Sequence, residues 1–90
     1  MQERHREFYR SLSREERQLI LLRDELYDGS WEEMVEDLRD RLAGKPYIFK
    51  LMNRIEEDLV RIERLRRYEE DNGVDLGRIR AEEEAEEVEP

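Results

Sequence analysis

The stretch 46–72, PYIFKLMNRIEEDLVRIERLRRYEEDN, constrains this chain more than any other. Turned at about 100° per residue, Ile48, Met52, Ile55, Leu59 and Ile62 form a seam with alternating steps of four and three. Leu51, Tyr47 and Leu65 widen the seam on one side, and Phe49 and Val60 on the other. The apolar surface spans roughly 220°, about twice the stripe of an ordinary surface helix. A single neighbour cannot cover it.

Two helices precede it. Ser13-Arg14-Glu15-Glu16 is a capping box, in which the serine accepts from an early N–H and Glu16 reaches back to the serine N–H. The helix it starts runs to about Asp28, with Leu12, Leu19, Leu22 and Leu26 on one face and Ile20 and Tyr27 beside it. Gly29 suits the left-handed conformation that ends a helix. Ser30-Trp31-Glu32-Glu33 repeats the capping device, so the next helix follows at a sharp corner. Its stripe is narrow: Trp31, Met34, Val35, Leu38 and Leu42. Gly44 stops it, and Pro46 opens the long helix at the position where a missing N–H costs nothing.

Length then exposes a mismatch. The long helix measures about 37 Å and the two before it about 20–23 Å each. Leu59, Val60, Ile62 and Leu65 overhang. Residues 1–12 cover them, with Phe8 and Tyr9 folding back, or a second copy of the chain does. Self-pairing through the long helix is the economical solution for so small a core. Phe49, Leu59, Val60, Ile62 and Leu65 are therefore the expected protein interface. Trp31, Leu38, Ile48, Met52 and Ile55 are the expected intrachain core.

Charge divides unevenly. Residues 1–73 carry 19 acids and 15 bases, whereas residues 74–90 carry 7 acids and 2 bases, so over half of the net charge of −9 lies in the last 17 residues. Val74-Asp75-Leu76 reads as a latch anchored by Leu76. The run after it cannot repay the entropy of ordering by apolar burial, although Ala and Glu favour transient helix. Arg61, Arg64, Arg66 and Arg67 complement the C-terminal dipole of the long helix and pair with nearby glutamates. They are also the candidate contact for an anion or for the acidic tail.

Composition removes several functions. One histidine and no cysteine leave no metal motif, disulfide or thiolate chemistry. No glycine-rich phosphate loop occurs, and both Ser13 and Ser30 serve as caps rather than nucleophiles. No enzyme and no cofactor are expected. A mixed-sign body with an acidic end argues against general nucleic-acid or membrane binding. The charged N-terminus and the lack of a long apolar run lead to the expectation of a cytoplasmic protein.

The segment LSREERQLILLRDELYDGSWEEMVEDL, residues 12–38, resembles the helix-turn-helix region of bacterial sigma factors and related regulators. That resemblance implies a DNA-binding transcriptional regulator, the alternative reading. The chain departs from the pattern where the second helix continues through Arg39-Asp40-Arg41-Leu42-Ala43 and the next opens with Tyr47-Ile48-Phe49, which suits burial better than a DNA groove.

The expected fold is all-α. A small three-helix arrangement, with helices near 13–28, 31–43 and 46–71, places a helical hairpin on a long C-terminal helix. A flexible or partly helical lead-in, 1–12, precedes the 13–73 domain, and a disordered acidic tail, 74–90, follows it. The expected function is a non-enzymatic helical interaction module, a small adaptor or regulatory subunit. Its expected partners are a second copy of itself, as a homodimer, or another helical protein.

Overall fold

The computed structural model describes the backbone of residues 2–44 and 49–88, with the side chains of residues 3–44 and 52–86. These residues form an all-α structure of five helices: α1 (Gln2–Ser11), α2 (Arg14–Leu26), α3 (Trp31–Gly44), α4 (Phe49–Asn72) and α5 (Leu76–Val88). None of the helices is long and apolar enough to cross a membrane among the described residues.

Each boundary has a local cause. Leu12 N–H donates to Tyr9 O as α1 ends, and Ser13 then opens α2 with its complete capping box. Ser13 Oγ accepts from Glu16 N at 3.1 Å, while Ser13 N donates to Glu16 Oε1 at 3.0 Å. Asp28 and Gly29 both take positive φ, and Gly29 N donates to Arg23 O, closing α2. Ser30 Oγ accepts from Glu33 N and starts α3. Gly73, at φ 61°, ends α4, with Val74 N donating back to Glu69 O.

Two of the five helices correct the expected arrangement. Residues 1–12 supply α1, a distinct helix, and the acidic end is α5 rather than a disordered tail. Both follow from contacts that local composition does not display. Tyr9 and Leu12 enter the core, and Phe8 stacks on Tyr68 of α4 with ring centroids 3.6 Å apart. Leu76 and Ile79 enter the same core from the first turn of α5. Glu83 and Glu86 beyond them meet arginines of α1, and Glu84 meets Arg80 of α5 itself, which offsets the repulsion that would otherwise favour disorder.

One core joins all five helices. Leu12, Ile20, Ile62, Leu65 and Leu76 are almost wholly buried, together with Trp31 and Met34 from α3. A fully buried aliphatic side chain of this size contributes about 1.5–3 kcal/mol relative to an exposed one. α4 packs on α2 and α3, whereas α5 packs on α1 and α2. Ile62 and Leu65 of the overhang are thus covered within the chain, in a core shared with Tyr9 of α1 and Leu76 and Ile79 of α5, while Val60 stays exposed. Of the expected core, Trp31 and Ile55 are buried and Leu38 and Met52 half-buried, while Ile48 lies outside the described residues.

The buried face of α2 also differs from the expected one. Glu16, Leu19, Ile20 and Arg23 face inward, while Leu26 is 67% exposed. At 100° per residue the true face is turned by about 60° from the leucine stripe. Two charged residues occupy buried positions because each finds a partner on α4.

Candidate functional site

The expected interface residues separate into three groups. Ile62 and Leu65 are 1% and 0% exposed, inside the core, and present no surface to a partner in this fold. The side chain of Phe49 lies outside the described residues. Leu59 is half-buried, and Val60 is 71% exposed on the middle of α4. Val60 and Leu26 are the exposed large apolar side chains among the described residues.

Leu59 and Val60 do not stand alone. With Val35 of α3 they form the apolar floor of a groove of about 640 Å³ between α3 and α4. Glu32, Glu36 and Asp40 line its α3 side at intervals of four, which sets them in a row along the helix. Arg39 stands among them, and Glu63 and Arg66 complete the rim from α4. An apolar floor with a charged rim matches the shape in which one helix receives another.

The arginines expected to hold an anion or the acidic tail are engaged elsewhere. Arg61 pairs with Asp58 at 2.8 Å and reaches Glu57, Arg66 pairs with Glu70, and Arg67 with Glu63, all on α4 itself. Arg64 pairs with Glu16 of α2 and lies 5.6 Å from the centroid of the Phe8 ring. Burial alone would raise the Glu16 carboxyl. The Ser13 N–H and then Arg64 more than offset this and hold it below the usual carboxylate range. The acids of α5 meet α1 instead: Glu83 accepts from Arg6 Nε at 3.0 Å and from Arg10, and Glu86 pairs with Arg6. The Arg10 and Arg6 hydrogen bonds, acting against partial desolvation, hold the Glu83 carboxyl down at about 2.

The most organised polar cluster was not legible as a site in the sequence. Arg23, 2% exposed, donates from Nη1 to both carboxylate oxygens of Glu69, at 2.9 and 2.8 Å. Its Nη2 reaches Asp75 Oδ1 at 2.9 Å and its Nε reaches Asp24 Oδ1 at 3.0 Å. The guanidinium also lies 4.5 Å from the centroid of the Trp31 ring. Trp31 Nε1 donates to Glu69 Oε1 at 2.7 Å, and Leu76 N donates to Glu69 Oε2 at 2.8 Å. Burial alone would lower the Arg23 guanidinium, but Glu69 and then Asp24 more than offset it and hold it above its ordinary value. One side chain of α2 therefore ties together α3, α4 and the start of α5. The available signal was the register of α2, where Glu16 and Arg23 stand seven residues apart on one face with Leu19 and Ile20 between them.

His5, the single histidine, is also placed by α4: its Nδ1 lies 2.7 Å from Tyr68 Oη. Tyr27 Oη donates to Asp37 at 2.6 Å, which raises the tyrosine and fixes the corner between α2 and α3. No group of three metal-ligating side chains converges among the described residues. Comparison with protein-family models, curated proteins and solved structures found no match.

Proposed function

We propose that the chain is a non-enzymatic helical interaction module, a small adaptor or regulatory subunit, that self-associates through α4. The observation that supports this reading is Val60, 71% exposed on the floor of the α3–α4 groove beside half-buried Val35 and Leu59. The occupant of the groove is α4 of a second copy. Pairing about a two-fold axis near Val60 gives each groove the other copy's valine, with Arg39 and Arg66 of the rim available to the other copy's acids. The buried polar groups favour this reading over chemistry: Arg23, Glu69 and Trp31 bind one another and the backbone. The DNA-binding alternative is disfavoured by α3, whose exposed acids Glu32, Glu33, Glu36 and Asp40 outnumber its exposed arginines Arg39 and Arg41.

Sedimentation equilibrium of the full chain and of Val60→Glu tests the proposal. The substitution places two like charges beside the axis, and dimerisation weakens by about tenfold or more. A wild-type chain that stays monomeric at millimolar concentration, or a Val60→Glu chain that associates like wild type, overturns it. Salt-sensitive binding to duplex DNA would instead favour the alternative.

A further inference from the structure

We propose a second contact between copies of this chain, on a different face: the exchange of α5. It shares no residue with the α3–α4 groove and does not depend on it.

Three observations support exchange. First, α5 packs on α1 and α2, which precede it by about fifty residues or more, rather than along the α4 helix it follows. Leu76 and Ile79 share the core with Tyr9, Leu12 and Ile20. Glu83 binds Arg6 and Arg10, Arg80 reaches Asp24, and Asp75 binds Arg23. All these contacts form equally well whichever copy supplies α5.

Second, the hinge is short and under conformational demand. Residues 73–75 alone separate α4 from α5, and Gly73 sits at φ 61°. A hinge this short restricts how α5 reaches its own socket, whereas opening it lets the distant contacts be rebuilt on the partner.

Third, the open form has structure to gain. The closed turn is held by Val74 N to Glu69 O, and by Asp75, which accepts from Gly77 N through its side chain and from Ile79 N through its carbonyl. When the hinge straightens, α4 runs on into α5 with ordinary helical hydrogen bonds in place of these caps. No proline lies between residues 49 and 88, so Gly73 is the one strong helix breaker at the hinge. The socket keeps Arg23, Glu69 and Trp31, while the Leu76 N–H exchanges its bond to Glu69 for one within the continuous helix.

The test changes the hinge alone. Gly73→Ala disfavours the left-handed turn and favours continuous helix. Across two hinges these effects strengthen dimerisation by on the order of a thousand-fold. Insertion of four Gly/Ser residues after Gly73 lets α5 reach its own socket without strain and weakens dimerisation. Sedimentation equilibrium measures both. Isotope-filtered nuclear Overhauser spectra on co-refolded labelled and unlabelled full-length chains supply the location. Exchange gives intermolecular signals between α1 and α5, for example Tyr9 to Ile79, whereas pairing through the groove gives them between α3 and α4. Absence of intermolecular α1–α5 signals from wild type and Gly73→Ala at millimolar concentration overturns the proposal. So does dimerisation indifferent to both hinge variants. Should Gly73→Ala fail to fold, wild type and the insertion variant decide. Because Val60→Glu leaves the α5 socket untouched, its result bears on the groove alone.

Discussion

Arg23→Met removes a buried charge and keeps most of the side-chain volume, so its cost measures how far the fold depends on the Arg23–Glu69 pair. Glu69 supplies most of that cost. Its carboxylate is largely enclosed, at 14% side-chain exposure, and accepts two hydrogen bonds from Arg23. Without Arg23 it keeps only the Trp31 and Leu76 N–H groups. Breaking a buried pair from one side costs about 3–5 kcal/mol. Asp75 adds little, because at 68% exposure it regains water. The lost contact with the Trp31 face adds about 0.5–1 kcal/mol, which methionine's own packing on the ring partly restores. A net loss of about 3 kcal/mol is expected, a large part of the stability of a domain this size. Urea unfolding followed by far-ultraviolet circular dichroism measures it, with Trp31 fluorescence as an independent probe of the same cluster. Combining Glu69→Gln with Arg23→Met should recover part of the loss, since the amide carries no charge to strand. A loss below about 1 kcal/mol for Arg23→Met, or a double variant that loses the full sum of both single costs, would refute the reasoning.

Two further outcomes follow from the same region. Gly77→Ala should gain about 1 kcal/mol from helix propensity alone. Its new Cβ, however, falls 2.8 Å from Asp24 Cγ and 2.9 Å from Arg23 Nη2, so the Asp24 carboxylate must turn away from Arg23 and Arg80, and the urea midpoint should fall rather than rise. The α1–α5 contact should be acid-labile. Glu83 is held at about 2 against an ordinary 4.5, so its stabilisation is complete above the ordinary value and is lost as pH falls between the two. Amide exchange in α5 should accelerate across that window in wild type and be already faster at neutral pH in Glu83→Gln; an α5 equally protected throughout would contradict the assignment.

The helices of the middle of this chain were legible because their signals are local. Ser13 and Ser30 mark their own helix starts, Gly29 and Gly73 mark ends, and the apolar period of α3 and α4 is read within a few turns. What covers the second half of α4 was legible only in part: residues 1–12, with Phe8 and Tyr9 folding back, were one of two expected covers and Leu76 an expected anchor, but no local signal chose that cover over a second copy or placed Ile79 in the core. Phe8 and Tyr9 sit in a charged stretch with no visible stripe, and Leu76 and Ile79 open an acidic segment that composition assigns to disorder. Each becomes structural only through a partner far along the chain: Phe8 through Tyr68, Glu83 through Arg6 and Arg10, Leu76 through Glu69. The same blindness displaced the candidate surface. Counting leucines on α2 pointed its face toward Leu26, because a buried Glu16 and Arg23 look like surface residues until Arg64 and Glu69 are seen opposite them. Once α1 and α5 close over Ile62 and Leu65, Leu59 and Val60 are what the described residues of the expected interface leave at the surface. An interface that small binds weakly by area alone. If α5 exchanges between copies as proposed, its buried anchors and its ion pairs to α1 add contacts that the α3–α4 groove does not offer.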